Sequence, residues 1–96
     1  MRVLLLYDII NDRKRTKVSE ACLDYGLDRI QYSAFSGLLS RTHQEELMMK
    51  ISAIIGDDLA RIHLYPIDEN AWKKRLLFEN EDELEIEDDV PRSADE

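Results

Sequence analysis

The chain has 96 residues and a formal net charge of −8, room for one compact domain and not two. Its single cysteine, Cys22, excludes an internal disulfide and fits a reducing compartment. No apolar run approaches the roughly 20 residues of a membrane span, and the N-terminus carries no signal-peptide pattern, so a cytoplasmic protein without membrane contact is expected.

The acidity is local. Residues 1–78 hold 12 Lys+Arg and 11 Asp+Glu, a net of +1, whereas residues 79–96 hold one Arg and ten acids. The boundaries expected are a domain over 1–78 and an acidic, disordered tail over 79–96. A nearly neutral domain with a basic cluster leaves a phosphate-binding patch open.

The first strand is expected from Arg2 to Ile9. Val3, Leu5 and Tyr7 point one way, Leu4, Leu6 and Asp8 the other. Both faces are apolar as far as Asp8, which predicts a central strand covered on both sides. Asn11 or Asp12 is placed to cap a first helix that begins at Asp12 or Arg13 and ends at Tyr25, with Gly26 as its left-handed stop. Val18, Ala21, Cys22 and Tyr25 make its buried stripe. Arg13, Lys14, Arg15 and Lys17 crowd its first turns. A carboxylate at a strand end beside a basic helix suits a hard cation next to a phosphate. The same pattern also reads as a strand end, a helix cap and a solvated basic face.

Residues 27–40 are rich in β-formers. They predict two short strands or one bent strand, with the break between Tyr32 and Gly37. A second helix is expected over Thr42–Ile55, opened by a Thr42–Glu45 capping box and closed by Gly56. Leu47, Ile51, Ile54 and Ile55 form its apolar stripe, with Met48 at the edge. A strand over Leu59–Ile67 follows, and Pro66 puts its end at an edge or out of the sheet. His63 and His43 have no ligand-spaced partner and read as surface residues. After a linker with Trp72, the run Leu76-Leu77-Phe78 predicts an extra strand paired with another copy of the chain. The order is βαββαβ, an α+β, ferredoxin-like arrangement with that additional C-terminal strand. Such a fold indicates no single function.

The chain resembles the CRISPR-associated protein 2 family, the small subunit of the machinery that inserts new spacers into CRISPR arrays. The resemblance covers the first 67 residues. It rests on Leu6-Tyr7-Asp8-Ile9, on Asp12-Arg13-Lys14-Arg15-Thr16-Lys17-Val18, on Tyr25-Gly26, on the run from Arg29 to Ser40, and on Arg61-Ile62-His63-Leu64-Tyr65-Pro66-Ile67. Ser36 stands where the family often has a glutamate before the glycine, so no role of that acid carries over.

The resemblance implies a homodimer in which two copies of Asp8 face each other near the twofold axis. It implies an adaptor that bridges integrase dimers and holds duplex DNA. It also implies a metal-dependent endonuclease acting on RNA or double-stranded DNA. In that reading two Asp8 carboxylates share a weak Mg2+ site, and Tyr7 positions water or substrate. Arg13, Lys14, Arg15, Lys17 and Arg29 clamp phosphates as permanent cations or point charges, while Ser33 and Phe35 border the groove, unless Phe35 is core. An alternative is a toxin-type ribonuclease of the virulence-associated interferase kind, which has a similar fold and strand-end aspartate. Leu84, Ile86 and Val90 interrupt the acids of the tail and suggest a partner-binding strand, with the integrase subunit as expected partner. The competing readings of the tail are a screen over the basic cluster and a plain solubilising segment.

Overall fold

The computed structural model describes residues 1–80. The elements are β1 (Arg2–Ile9), α1 (Asp12–Asp24), β2 (Asp28–Gln31), β3 (Ala34–Leu38), α2 (Arg41–Ile55), β4 (Ala60–Ile67) and α3 (Glu69–Lys73). The sheet runs β2-β3-β1-β4, and every neighbouring pair is antiparallel. This is the ferredoxin-like α+β fold expected from the order of the elements. The chain breaks at Tyr32-Ser33, giving two strands and a hairpin, with a bulge between Arg29 and Gln31. β4, with Pro66 near its end, is an edge strand.

Helix α1 starts at Asn11, whose side chain accepts the Lys14 N–H at 3.0 Å. It stops in a Schellman turn: Leu27 N–H donates to the Cys22 carbonyl and Gly26 N–H to that of Leu23. Gly26 takes a φ of +85°, which a side chain would resist. Gly37 is needed for a different reason, since a Cβ there would lie 2.8 Å from the Leu27 side chain.

The expected Thr42–Glu45 box does not open α2. Ser40 is the cap, its hydroxyl accepting the His43 N–H at 3.1 Å, and Glu45 pairs with Arg41 instead. The register is set by Leu39, which is buried and whose N–H completes the sheet on the Met1 carbonyl. The next residue then becomes the cap. Leu47, Ile51 and Ile55 are buried as expected, with Ile54 and Met48 half-buried. Gln44 extends the stripe and satisfies itself on the Leu39 carbonyl and Arg41.

Val3, Leu5, Tyr7 and Ile9 of β1 meet Val18, Ala21 and Cys22 of α1, Leu47, Ile51 and Ile55 of α2, and Phe35. Within a single chain only one of the two apolar faces of the first strand is covered. Right-handed crossovers place both long helices on the same side of the sheet. The other face of β1 is bare, with Leu6 38% exposed and Asp8 exposed.

The C-terminal arm also differs. A short helix, α3, follows β4, and the Trp72 ring carries the guanidinium groups of Arg2 and Arg75 at 4.7 and 4.2 Å from its centroid. Leu76, Leu77 and Phe78 form no strand within the chain and are exposed. The proposed partner-binding residues Leu84, Ile86 and Val90 lie outside the described residues. No helix among the described residues is long and apolar enough to cross a membrane.

Candidate nucleic-acid interface and strand-end carboxylate

The basic cluster of α1 divides in two. Lys14 Nζ donates to the Ile55 carbonyl at 2.8 Å and lies 3.0 Å from Asp58, closing the C-terminal end of α2. Arg15 donates to the Ile9 carbonyl at 2.8 Å, pairs with Asp12 and lies over the Tyr32 ring. Both cations hold the protein's own backbone. Arg13 and Lys17 are one helical turn apart and exposed, and neither has a side-chain partner among the described residues. They flank a groove of about 790 Å3 between α1 and α2, lined also by Ile10, Ala53 and Ile54.

Arg29 belongs with the structural cations. It donates to the Ser19 hydroxyl at 2.6 Å and to the Tyr32 carbonyl, and it packs 4.9 Å over Phe35. Phe35 is fully buried and stacks on Tyr7, so it is core and does not border a groove. Ser33 is half-buried in the hairpin turn.

Tyr7 and Asp8 are split across the sheet. Tyr7 is buried on the helix side beside Ser19 and Arg29; burial raises its phenol pKa, against the pull of the Arg29 guanidinium. Asp8 alternates with it and stands on the bare face, opposite Arg61 of β4. The structure therefore does not place Tyr7 at the Asp8 carboxylate, and Asp8 is not among the residues lining the basic groove. Alternation within one strand forces this outcome.

On the same bare face His63 lies opposite Leu6, exposed as expected, with Nδ1 2.7 Å from the Tyr65 hydroxyl. Cys22 is buried in the core, and burial pushes its thiol up to about 12. Arg29 pulls against that shift, a basic neighbour that helix spacing alone did not show.

The donor set of one chain does not fit a resident metal. Among the described residues no three His, Cys, Asp or Glu side chains cluster, and the residue opposite Asp8 is a cation. One carboxylate is a poor site for magnesium, which favours several oxygen ligands.

These features coincide with a known family over most of the chain. The model of CRISPR associated protein Cas2 matches residues 1–75. The chain belongs to the CRISPR-associated protein Cas2 family. A relative from Chloroflexus aurantiacus, named CRISPR-associated endoribonuclease Cas2 2, is 48% identical over 81 residues, covering 84% of this chain and 95% of that protein. One from Desulforudis audaxviator, named CRISPR-associated endoribonuclease Cas2, is 42% identical over 67 residues, covering 70% of this chain and 63% of that protein. The crystal structure of Streptococcus pyogenes Cas2 superposes with a TM-score of 0.71 at 23% identity, covering 82% of this chain and all of that one. At that identity the likeness is one of fold. A hypothetical protein from Thermus thermophilus gives 0.65 at 25% identity, over 70% of this chain and 80% of its own.

Proposed function

We propose that this Cas2-family chain is the dimeric, nucleic-acid-holding subunit of CRISPR spacer acquisition, bridging integrase dimers. The observation that carries the reading is the bare face of the sheet. Leu4, Leu6, Leu38 and Tyr65 leave an apolar surface in register across three strands. Water contact there is unfavourable, and a second copy seated on it removes the surface from solvent. The family assignment favours this role over a toxin-type ribonuclease. Each copy brings its own Arg13 and Lys17, so a dimer offers two basic grooves to one duplex. The exposed run Leu76-Leu77-Phe78 is an arm for the second copy or the integrase, and the tail residues Leu84, Ile86 and Val90 are further candidates for the integrase contact. A pull-down of the purified chain with cognate integrase and duplex DNA tests this. Retention of all three supports it, and an integrase that binds duplex equally without this chain overturns it.

A second reading, metal-dependent cleavage of a phosphodiester, is supported by the exposed strand-end carboxylate and by the endoribonuclease names of the relatives. It requires Asp8 from both copies, because one chain supplies a single carboxylate there. Magnesium held by that pair would supply charge neutralisation at a phosphate oxygen. Tyr7, on the opposite side of the sheet, acts in this reading by packing under β1.

A further inference from the structure

The bare face of the sheet is apolar along the middle of β1 and charged at one end. There Asp8 stands in register with Arg61 of β4, two residues beyond the pair Leu6 and His63. Both side chains are exposed, and among the described residues neither makes an ion pair or a side-chain hydrogen bond in the single chain. In water such a pair gains or costs little. That changes when the face closes. A standard interface takes about 800 Å2 from each copy, a patch roughly 16 Å in radius. Asp8 lies only about 7 Å along the strand from Leu6, so a contact centred on Leu6 covers both charges.

A buried charge needs a partner. The oxygen ligands that magnesium favours are not gathered around Asp8. The β1–β3 ladder stops at Leu6 and Ala34, and the neighbour on β4 is a guanidinium, which repels a metal cation. His63, diagonal to Asp8 on the same face, is bound to the Tyr65 hydroxyl at 2.7 Å. Arg2, the other cation on this side of β1, sits at the opposite end of the strand and packs on Trp72. Arg61 supplies the positive charge directly. Cross-strand partners lie about 5 Å apart at Cβ, and a guanidinium takes a carboxylate through two parallel N–H bonds. Each copy then brings one positive and one negative group to the same spot. Two such faces joined about a twofold axis carry no net charge there.

We propose that Arg61 is the counter-ion of Asp8 in the dimer. As the face closes, each Asp8 pairs with Arg61 of its own chain, and the two strand-end carboxylates enter the contact as ion pairs and not as a magnesium site. Arg61 is then a positioning residue of the assembly, because it lets a carboxylate sit inside an apolar contact that would otherwise exclude it. The inference rests on the bare face being the dimer interface, and it is the alternative to the magnesium reading of Asp8. The dimer should form equally well with and without magnesium.

The dimer dissociation constant of the full-length chain is measured by analytical ultracentrifugation, in EDTA and in magnesium. The parent is compared with Arg61→Met and with Arg61→Met/Asp8→Asn. Methionine keeps a long apolar stem and removes the charge, and the exposure of both positions in the single chain lets the fold persist, which circular dichroism checks. The parent constant should be the same in both buffers. Arg61→Met should weaken the dimer by about 100-fold or more in EDTA, the effect of leaving a buried charge unpaired. Adding Asp8→Asn should recover most of that loss, since no charge is then left alone. Equal constants for Arg61→Met and the parent overturn the proposal. A loss that Asp8→Asn does not recover overturns it too, because Arg61 then acts through another group. A parent dimer about tenfold or more tighter in magnesium overturns it by making the carboxylates a metal site. Failure of the dimer reading looks different: the parent sediments as a monomer in both buffers, which overturns the interface and the ion pairs together.

Discussion

Arg29 donates to the Ser19 hydroxyl at 2.6 Å and so ties β2 to the middle of α1. The same guanidinium holds the Tyr32 carbonyl at the hairpin turn and covers the Phe35 ring. Removing it leaves these groups without their partner. Arg29→Ala is expected to lower the unfolding free energy by about 2–3 kcal/mol, and Ser19→Ala by about 1 kcal/mol. Urea denaturation checks both. An Arg29→Ala protein of unchanged stability that binds duplex weakly would restore Arg29 as a phosphate clamp.

The division of the basic cluster gives opposite signatures for adjacent residues. Lys14 closes α2 through the Ile55 carbonyl and Asp58. Its replacement by alanine should cost about 1 kcal/mol of stability and leave the salt slope of duplex binding unchanged. Arg13→Ala and Lys17→Ala should each flatten that slope by about one unit, with stability altered by less than about 0.5 kcal/mol. The reverse pattern would reassign the groove.

The order of elements was legible because each carried a local signal. A continuous apolar run marked β1, Gly26 marked the end of α1, and Pro66 marked the edge strand. The α2 cap was misplaced because Ser40 and Thr42 are both competent, and only the burial of Leu39 chooses between them. Arg15 and Arg29 looked like phosphate ligands because nothing local shows that their partners are Ile9, Ser19 and Tyr32. Asp8 was identifiable as the end of a strand, and its separation from Tyr7 already follows from their being adjacent in that strand. The bare sheet face was hidden by the apolar residues that make it. Leu4 and Leu6 read as core because the sequence does not say whose core they enter.

Alkaline pH should weaken the fold through Cys22. Burial raises its thiol from 9.0 to about 12 in the folded chain. The unfolded thiol therefore loses its proton first, and the native state binds more protons between those values. The contribution is complete below about pH 9 and is lost as pH rises through the folded value near 12. The raised phenol of Tyr7 acts in the same direction above its ordinary value of 10.0. Urea midpoints measured from neutral to alkaline pH should fall, and Cys22→Ala should make the fall shallower. Equal pH slopes in the two proteins would remove Cys22 from the account.

Cleavage, where the purified dimer shows it with magnesium, should depend on Asp8. Asp8→Ala should reduce the rate by at least about 100-fold, the lower end of what a group at the reacting atoms contributes. Chelation with EDTA should abolish it. The exposed position of Asp8 means the fold should survive the substitution. Tyr7→Phe, on the far side of the sheet, should keep most of the rate. Cleavage that persists in EDTA or in Asp8→Ala belongs to another site or another protein.

The bare face also supplies the sharpest test of assembly. Leu6 sits at the middle of β1, between Ala34 and His63, and is 38% exposed in the single chain. In a dimer that closes this face it enters an interface of roughly 1,600 Å2 or more. Leu6→Glu would then bring one carboxylate per copy into an apolar contact, where an unpaired charge is costly. The glutamate remains solvated on a separate chain, so the helix-side core of Val3, Leu5 and Phe35 is untouched. Light scattering should report a dimer for the parent chain and a monomer for Leu6→Glu, with matching circular dichroism. Leu38→Glu, on the same face and 63% exposed, should act likewise. Leu23→Glu, on the outer side of α1 and 51% exposed, is the control that should stay dimeric. A Leu6→Glu protein that remains a dimer would move the interface off this face and separate the two Asp8 carboxylates with it.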